Sequence, residues 1–164
     1  MIRKATTDDI TAIKQMAEIV FPETYKDIHT PGQTEYMMDK MYSEDSLTKQ
    51  MTEQGHIFFI EDGVGYASFR HEERKEDMMD IYHLEKLYVL PRFQGKGYGR
   101  ALFEKILESI KALSNGPVRI ELNVNRANKA VSFYEHIGMH REKTEDFSIG
   151  GGFTKNDYIM AIEL

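Results

Sequence analysis

The sequence predicts a single α/β domain, residues 1–164, built on a mixed sheet. Two observations carry this. Residues 84–107, LEKLYVLPRFQGKGYGRALFEKIL, have the pattern of a strand, a glycine-rich turn and an amphipathic helix. Short β-favouring runs flank that unit on both sides, and no repeat, low-complexity tract or linker interrupts the 164 residues. A chain of this length can bury a real core. Its 41% apolar and 29% charged residues are those of an ordinary soluble globular protein.

Residues 2–5 form a short first strand. Thr7, Asp8 and Asp9 supply an N-cap and an acidic first turn. Ile10, Ile13, Met16, Ala17 and Val20 then repeat at helical spacing until Phe21-Pro22 breaks the helix. Residues 23–46 have no clear period; Pro31-Gly32 signals a turn and residues 35–42 a second helix. Residues 47–54 make a short helix. Residues 56–60 are a strand, Glu61-Asp62-Gly63 a hairpin turn, and residues 64–69 the returning strand. Glu72 to Asp80 is a charged loop. Leu84, Leu87, Val89 and Leu90 make the next strand, ended by Pro91, which has no N–H to give a ladder. Beyond the glycines, Leu102, Ile106, Ile110 and Leu113 line a helix, with Phe103 and Leu107 beside them, that Ser114-Asn115-Gly116-Pro117 stops. Residues 118–124, VRIELNV, alternate as a strand. Residues 127–137 form a short helix closed by Gly138, and two last strands, from Met139 and over 153–162, are split by Gly150-Gly151-Gly152.

The chemistry gathers at Gln94-Gly95-Lys96-Gly97-Tyr98-Gly99. Glycines where a strand meets a helix let backbone approach a ligand closely. The free N–H groups of the helix's first turn then point out of its positive end, which suits phosphate. The P-loop spacing is absent, and a dinucleotide fingerprint fails because Arg100 stands where its third glycine belongs. What remains is [QR]-x-x-G-x-[GA], matched by Gln94, Gly97 and Gly99; an ordinary glycine-rich turn fits it as well.

Composition removes other classes. Without cysteine there is no disulfide, thiolate nucleophile or Cys-ligated zinc, and the six histidines lack ligand spacing, so no metal is expected. No apolar run is long enough for a membrane span and the first residues turn polar at once, so neither membrane nor leader is expected and a cytoplasmic location is. A net charge of −6 argues against nucleic acid. Much of the acid lies in Glu18, Glu23, Asp27, Glu35, Asp39, Glu44 and Asp45, interleaved with Tyr25, Tyr36 and Tyr42. That segment is either a solvated helical face or an acidic, aromatic-lined pocket for a polyamine.

One helix and one strand beyond the glycine loop comes Asn128-Lys129-Ala130-Val131-Ser132-Phe133-Tyr134-Glu135-His136-Ile137-Gly138-Met139. This N-x-A-x-x-F-Y-x-x-x-G-[FM] pattern, in that order and separation from the loop, resembles the GNAT superfamily of N-acetyltransferases across about residues 57–164. The resemblance implies a mostly antiparallel central sheet flanked by helices and splayed at two central parallel strands, residues 84–90 and 118–124. It implies acetyl-CoA as cosubstrate, with direct attack of an amine on the thioester. The pyrophosphate would lie on Gln94, Gly95, Lys96, Gly97, Tyr98 and Gly99, flanked by Arg92 and Arg100. Strand N–H groups at Leu87, Tyr88 and Val89 would hold the pantetheine arm and the oxyanion. Asn128 would contact the pantetheine or thiol end, and Arg126 and Lys129 could reach the 3′-phosphate. Tyr134 would protonate the leaving thiolate; a core tyrosine is the other reading. Glu85 is the candidate general base, directly or through water, or else a solvent-facing or salt-bridged strand residue.

Residues 21–27, 84–89, 147–150 and 157–160 are further similar to bacterial spermidine/spermine N-acetyltransferases. That implies a small-molecule amine acceptor, a polyamine, and the acidic, aromatic segment offers Tyr25, Asp27 and Tyr36 as its contacts. The triplet Gly150-Gly151-Gly152 departs from those relatives, which carry bulkier or acidic residues there. A peptide N-terminus or other small amine is the second enzymatic reading, and a non-catalytic acetyl-CoA-binding regulatory module a third. Dimers are frequent in the family, so a homodimer is compatible.

Overall fold

A computed structural model describes residues 1–74 and 79–164. Strand β5 (Val118–Asn125) shows why a sheet forms: Val118, Ile120, Leu122 and Val124 are buried and the residues between them half-buried, the two-residue period of a pleated strand. Around it lie β1 (Arg3–Lys4), β2 (Ile57–Glu61), β3 (Gly65–Arg74), β4 (Asp80–Val89), β6 (His140–Gly150) and β7 (Phe153–Glu163). Their order is β1-β2-β3-β4-β5-β7-β6, antiparallel throughout except for the parallel pair β4–β5.

That pair positions the site. β4 and β5 are in register only from Asp80–Val118 to His83–Glu121, although β4 continues to Val89 and β5 to Asn125. Beyond His83 the strands part, and their facing edges stop bonding to each other. At the parting point the β3–β4 ladder slips: Ser68 faces Lys86 and Phe69 faces Leu84, so Glu85 is the extra residue of a bulge. The slip also changes faces. Leu84 and Leu87 pack on one core, whereas Tyr88 packs on the other.

The first core lies under helices α4 (Tyr98–Leu113) and α5 (Ala130–His136), with Leu102, Phe103, Ile106 and Ile110 buried on the stripe of α4. The second lies under α1 (Ile10–Tyr25), α2 (Pro31–Tyr42) and α3 (Glu44–Thr52), and is built on Phe21, Tyr42, Leu47 and Tyr66. No helix among the described residues is long and apolar enough to cross a membrane.

Several local expectations are corrected. The N-cap is Thr6, not Thr7: its hydroxyl accepts from Asp8 N–H while the Asp9 carboxylate accepts from Thr6 N–H, a capping box on a short 3-10 turn before α1. Pro22 does not break α1, which runs on to Tyr25. Its missing N–H leaves Glu18 C=O unserved, but Glu18 is exposed, and burial of Phe21 and Tyr25 outweighs that loss. Pro31-Gly32 is not a turn but the start of α2, because proline fits a first helical position and Thr30 caps it. Helix α3 starts earlier, at Glu44, on a Ser43 cap. Helix α5 starts later, at Ala130, because the Asn128 side chain accepts from Ala130 N–H and holds the preceding residues in a turn. Of the charged loop expected over Glu72 to Asp80, residues 72–74 end β3 and Asp80 opens β4, tied to Arg74 at 2.9 Å; residues 75–78 lie outside the described residues.

Candidate functional site

Where β4 and β5 part, a cleft of about 630 Å³ opens. It is lined from one side by the end of α1 and the residues after it, from the floor by Leu84–Val89 and Leu122–Val124, and from the other side by the glycine loop and α5. The loop is shaped by its backbone. Gly95 and Gly97 have φ of 76° and 90°, the left-handed region that a Cβ disfavours. Gly97 is the N-cap of α4, and among the described residues no side chain caps it, so the first N–H groups of the helix are left for something else. Gln94 ties the loop back to the strand, its amide donating to Val89 C=O at 2.9 Å.

Glu85 reaches the cleft from the bulge. Arg70 Nε donates to its Oε1 at 2.7 Å. Burial pushes the carboxyl pKa up, but His83, His56 and Arg70 together outweigh it and hold it below the usual value. Tyr134, on α5, is buried beneath the same cleft, and that burial pushes its phenol pKa up, so it keeps its proton at neutral pH. Opposite, the Tyr25 and Tyr88 hydroxyls lie 3.0 Å apart, joining α1 to the free edge of β4. Lys86 lines the cleft too, but its ammonium is buried, 2.7 Å from Gln50 Oε1 and 5.4 Å from the Tyr42 and Phe58 rings. Burial brings its pKa down to about 8.

The cleft thus brings together Tyr25, Asp27, Glu85, Leu87, Tyr88, Val89, Gln94, Gly95, Gly97, Gly99, Arg100, Asn128, Lys129 and Tyr134. Other expected residues are elsewhere. Tyr36 lines a separate depression with Glu18, Glu35, Asp39 and Phe153, because its hydroxyl is drawn to Ile149 C=O at 2.9 Å. Arg92 and Lys96 do not line the cleft and stand 4.9 and 5.9 Å from the Phe93 ring, while the Tyr98 ring packs edge-on against Phe93. Arg126 is paired with Asp146 on the hairpin, away from the cleft.

Sequence reasoning missed Arg70, Asn123 and Gly65. A Cβ at Gly65 would stand 2.5 Å from Tyr88 C=O, so this glycine lets β3 press against β4 beside the cleft. Its only signal was a glycine inside a strand pattern. Arg70 and Asn123 left none, since each matters through a partner distant in sequence.

A family model described as acetyltransferase (GNAT) domain matches residues 23–155. An uncharacterised N-acetyltransferase of Mycobacterium bovis is 37% identical over 102 residues, 62% of this chain and 60% of that protein, so the match spans well under two thirds of the relative's length. Two solved structures share the fold. The PaiA N-acetyltransferase of Thermoplasma acidophilum, in complex with coenzyme A, superposes with a TM-score of 0.77 at 22% identity over 100% of this chain and 98% of that one. The ribosomal-protein-S18-alanine N-acetyltransferase of Escherichia coli gives 0.67 at 18% identity over 99% and 92%.

Proposed function

This chain belongs to the GNAT acetyltransferase family, whose members use acetyl-CoA, and from that premise we propose that its cleft transfers an acetyl group from acetyl-CoA to a primary amine. One observation carries the reading. A single cavity joins an uncapped helix N-terminus led by left-handed glycines, the edge of β4 that β5 leaves unpaired at Leu87–Val89, an ionised carboxylate and a protonated phenol. The two cores share one sheet, which supports a single catalytic domain over residues 1–164.

The residues fit the coenzyme. The N–H groups at the start of α4 suit a pyrophosphate, with Arg100 beside them. The free edge of β4 offers the backbone N–H groups of Leu87 and Val89 to an amide-bearing arm and to a carbonyl oxygen gaining charge, whereas Tyr88, between them, is turned to Tyr66 of β3 and lines the cleft with its side chain. Bound there, acetyl-CoA supplies an acetyl thioester. Tyr134 holds a proton for the leaving sulfur, and its raised pKa keeps that proton available across the neutral range. Glu85 takes the amine's proton, directly or through water. His83, His56 and its pairing with Arg70 keep the carboxylate ionised and lower its basicity.

For the acceptor, the cleft favours a cationic amine such as a polyamine. On the α1 side Asp27 lines it beside Tyr25, with Glu23 paired to Lys26 and Glu85 to Arg70, while Arg100 and Lys129 lie on the side of the glycine loop and α5. A peptide N-terminus is the second reading, favoured by the likeness to a protein-alanine acetyltransferase. The test is the initial rate of thiol release with spermidine, spermine, an aminoglycoside and N-terminal peptides at two ionic strengths. Polyamine rates should exceed the others and fall with salt. Robust peptide acetylation without polyamine turnover would replace the acceptor, and no thiol release with any amine would overturn the activity.

A further inference from the structure

Three buried polar atoms near one end of the cleft have no hydrogen-bond partner among the described residues: His29 Nδ1, His29 Nε2 and Asp157 Oδ1. They belong to one cluster. The His29 ring stacks on Tyr25, with centroids 4.7 Å apart and planes within 5°. Asp157 is fully buried on β7, its Oδ2 lying 3.3 Å from Lys155 Nζ and 3.5 Å from Asn123 Nδ2. Its charge acts on both Tyr25 and His29. Tyr25 and Asn123 line the cleft, so the cluster adjoins it.

A clasp flanks this cluster. The β6–β7 hairpin is held on α2 by Tyr36 Oη and Lys40 Nζ, which donate to Ile149 C=O at 2.9 and 3.1 Å, and by Gln33 Nε2, which donates to Thr154 C=O at 2.9 Å. The hairpin turn lies so close that a Cβ at Gly150 would stand 2.6 Å from Tyr36 Oη. His29 immediately precedes the capped start of α2, and Asp157 follows Thr154 by three residues.

Buried polar atoms are costly to leave unpaired, so their gathering at one end of a cleft asks what pairs them. An ammonium group answers. It brings three N–H donors and a positive charge, and the cluster offers a carboxylate oxygen and an imidazole lone pair. Lys155 shows that Asp157 takes an ammonium on Oδ2, while the buried Oδ1 has no hydrogen-bond partner among the described residues. We propose that Asp157 and His29 form a subsite for the second, unreacted ammonium of a linear diamine or polyamine acceptor. Naming that ligand an acceptor rests on the acetyl-transfer reading of the cleft. Burial and the Lys155 charge hold the His29 pKa below its usual value against the pull of Asp157, so the ring is neutral at pH 7 and one nitrogen accepts.

The experiment is calorimetric titration of 1,5-diaminopentane and of pentylamine into the wild-type protein, Asp157→Asn and His29→Phe. The two amines differ only in the far ammonium. Wild type should bind the diamine at least tenfold more tightly. Asp157→Asn should abolish that preference, and His29→Phe, which keeps the ring on Tyr25, should weaken it. Equal affinity of wild type for the two amines, or a preference that survives both substitutions, overturns the subsite and leaves Asp157 as the partner of Lys155 and Asn123 only. If Asp157→Asn does not fold, His29→Phe decides. Because binding is measured without turnover, an Asp157-dependent preference in a protein that releases no thiol would reject the acetyl-transfer reading and keep the cation subsite.

Discussion

The two sides of the cleft are made of different material. On the side proposed for the coenzyme, the surface is backbone: left-handed Gly95 and Gly97, an uncapped helix start and a strand edge that β5 leaves unpaired. On the side proposed for the acceptor it is side chains brought from five segments, α1, β3, β4, β5 and β7. Tyr25 meets Tyr88, Glu85 meets Arg70, and Asp157 meets Lys155 and Asn123. Backbone can bind what every member of such a family must bind, because N–H groups do not depend on residue type. Side chains set what differs, and they do so in pairs that also tune each other's charge.

The predictions test that division, beginning with the largest effect. Tyr134→Phe keeps the buried ring and removes the proton. Its kcat should fall roughly 10- to 10³-fold, at or below the usual acid–base range, with acetyl-CoA affinity unchanged in a titration. A folded variant that turned over at the parent rate would make Tyr134 a core residue only. Glu85→Gln should lower the rate about 10²-fold at neutral pH and recover part of it at high pH, where free amine is abundant. Because Arg70 and the histidines hold the Glu85 pKa below its usual range, the carboxylate stays ionised through the neutral range, so Glu85 should set no limb of the wild-type profile there. A profile unchanged by the substitution would leave Glu85 as Arg70's structural partner.

Gly97→Val should weaken acetyl-CoA binding about 30-fold, as roughly 2 kcal/mol of left-handed strain displaces the loop. Among the described residues, chain neighbours aside, no heavy atom lies within 4 Å of the added Cβ, so the fold should persist, and circular dichroism would check it. This change should leave the diamine preference intact, which separates the two sides. The smallest effect is on stability. The Lys86 pKa is about 8 when folded against 10.5 for the free side chain, so the folded state binds fewer protons between those values. The penalty of burying the ammonium is therefore full below pH 8 and relieved toward pH 10.5. Relative to Lys86→Met, the wild type should gain about 1 kcal/mol per pH unit across that window in urea unfolding. A flat difference would mean that the ammonium is not buried in solution.

The same division decides what the sequence could show. That Gln94, Gly97, Gly99, Asn128 and Tyr134 would share one cleft was legible because they sit in two short stretches whose spacing is itself the geometry. The α/β class followed from periodicity for the same reason. The N-terminal helices were less legible: Pro22 was tolerated and Pro31 started a helix, since burial of Phe21 and Tyr25 and the Thr30 cap outweighed local breaker signals. Tyr36 was misplaced because its partner, Ile149 C=O, lies 113 residues away. The Glu85 bulge, the Arg70 pairing and the Asp157 cluster depend on register across the sheet, which no local pattern encodes.

The most direct test of the account is single-turnover stoichiometry. Protein loaded with acetyl-CoA is mixed with spermidine, 1,5-diaminopentane or an N-terminal peptide, and free thiol and acetylated amine are counted together. One thiol is expected for each acetylated amine, with no thiol released when the amine is omitted. Tight coenzyme binding with no amine-dependent thiol from any of the three would contradict it.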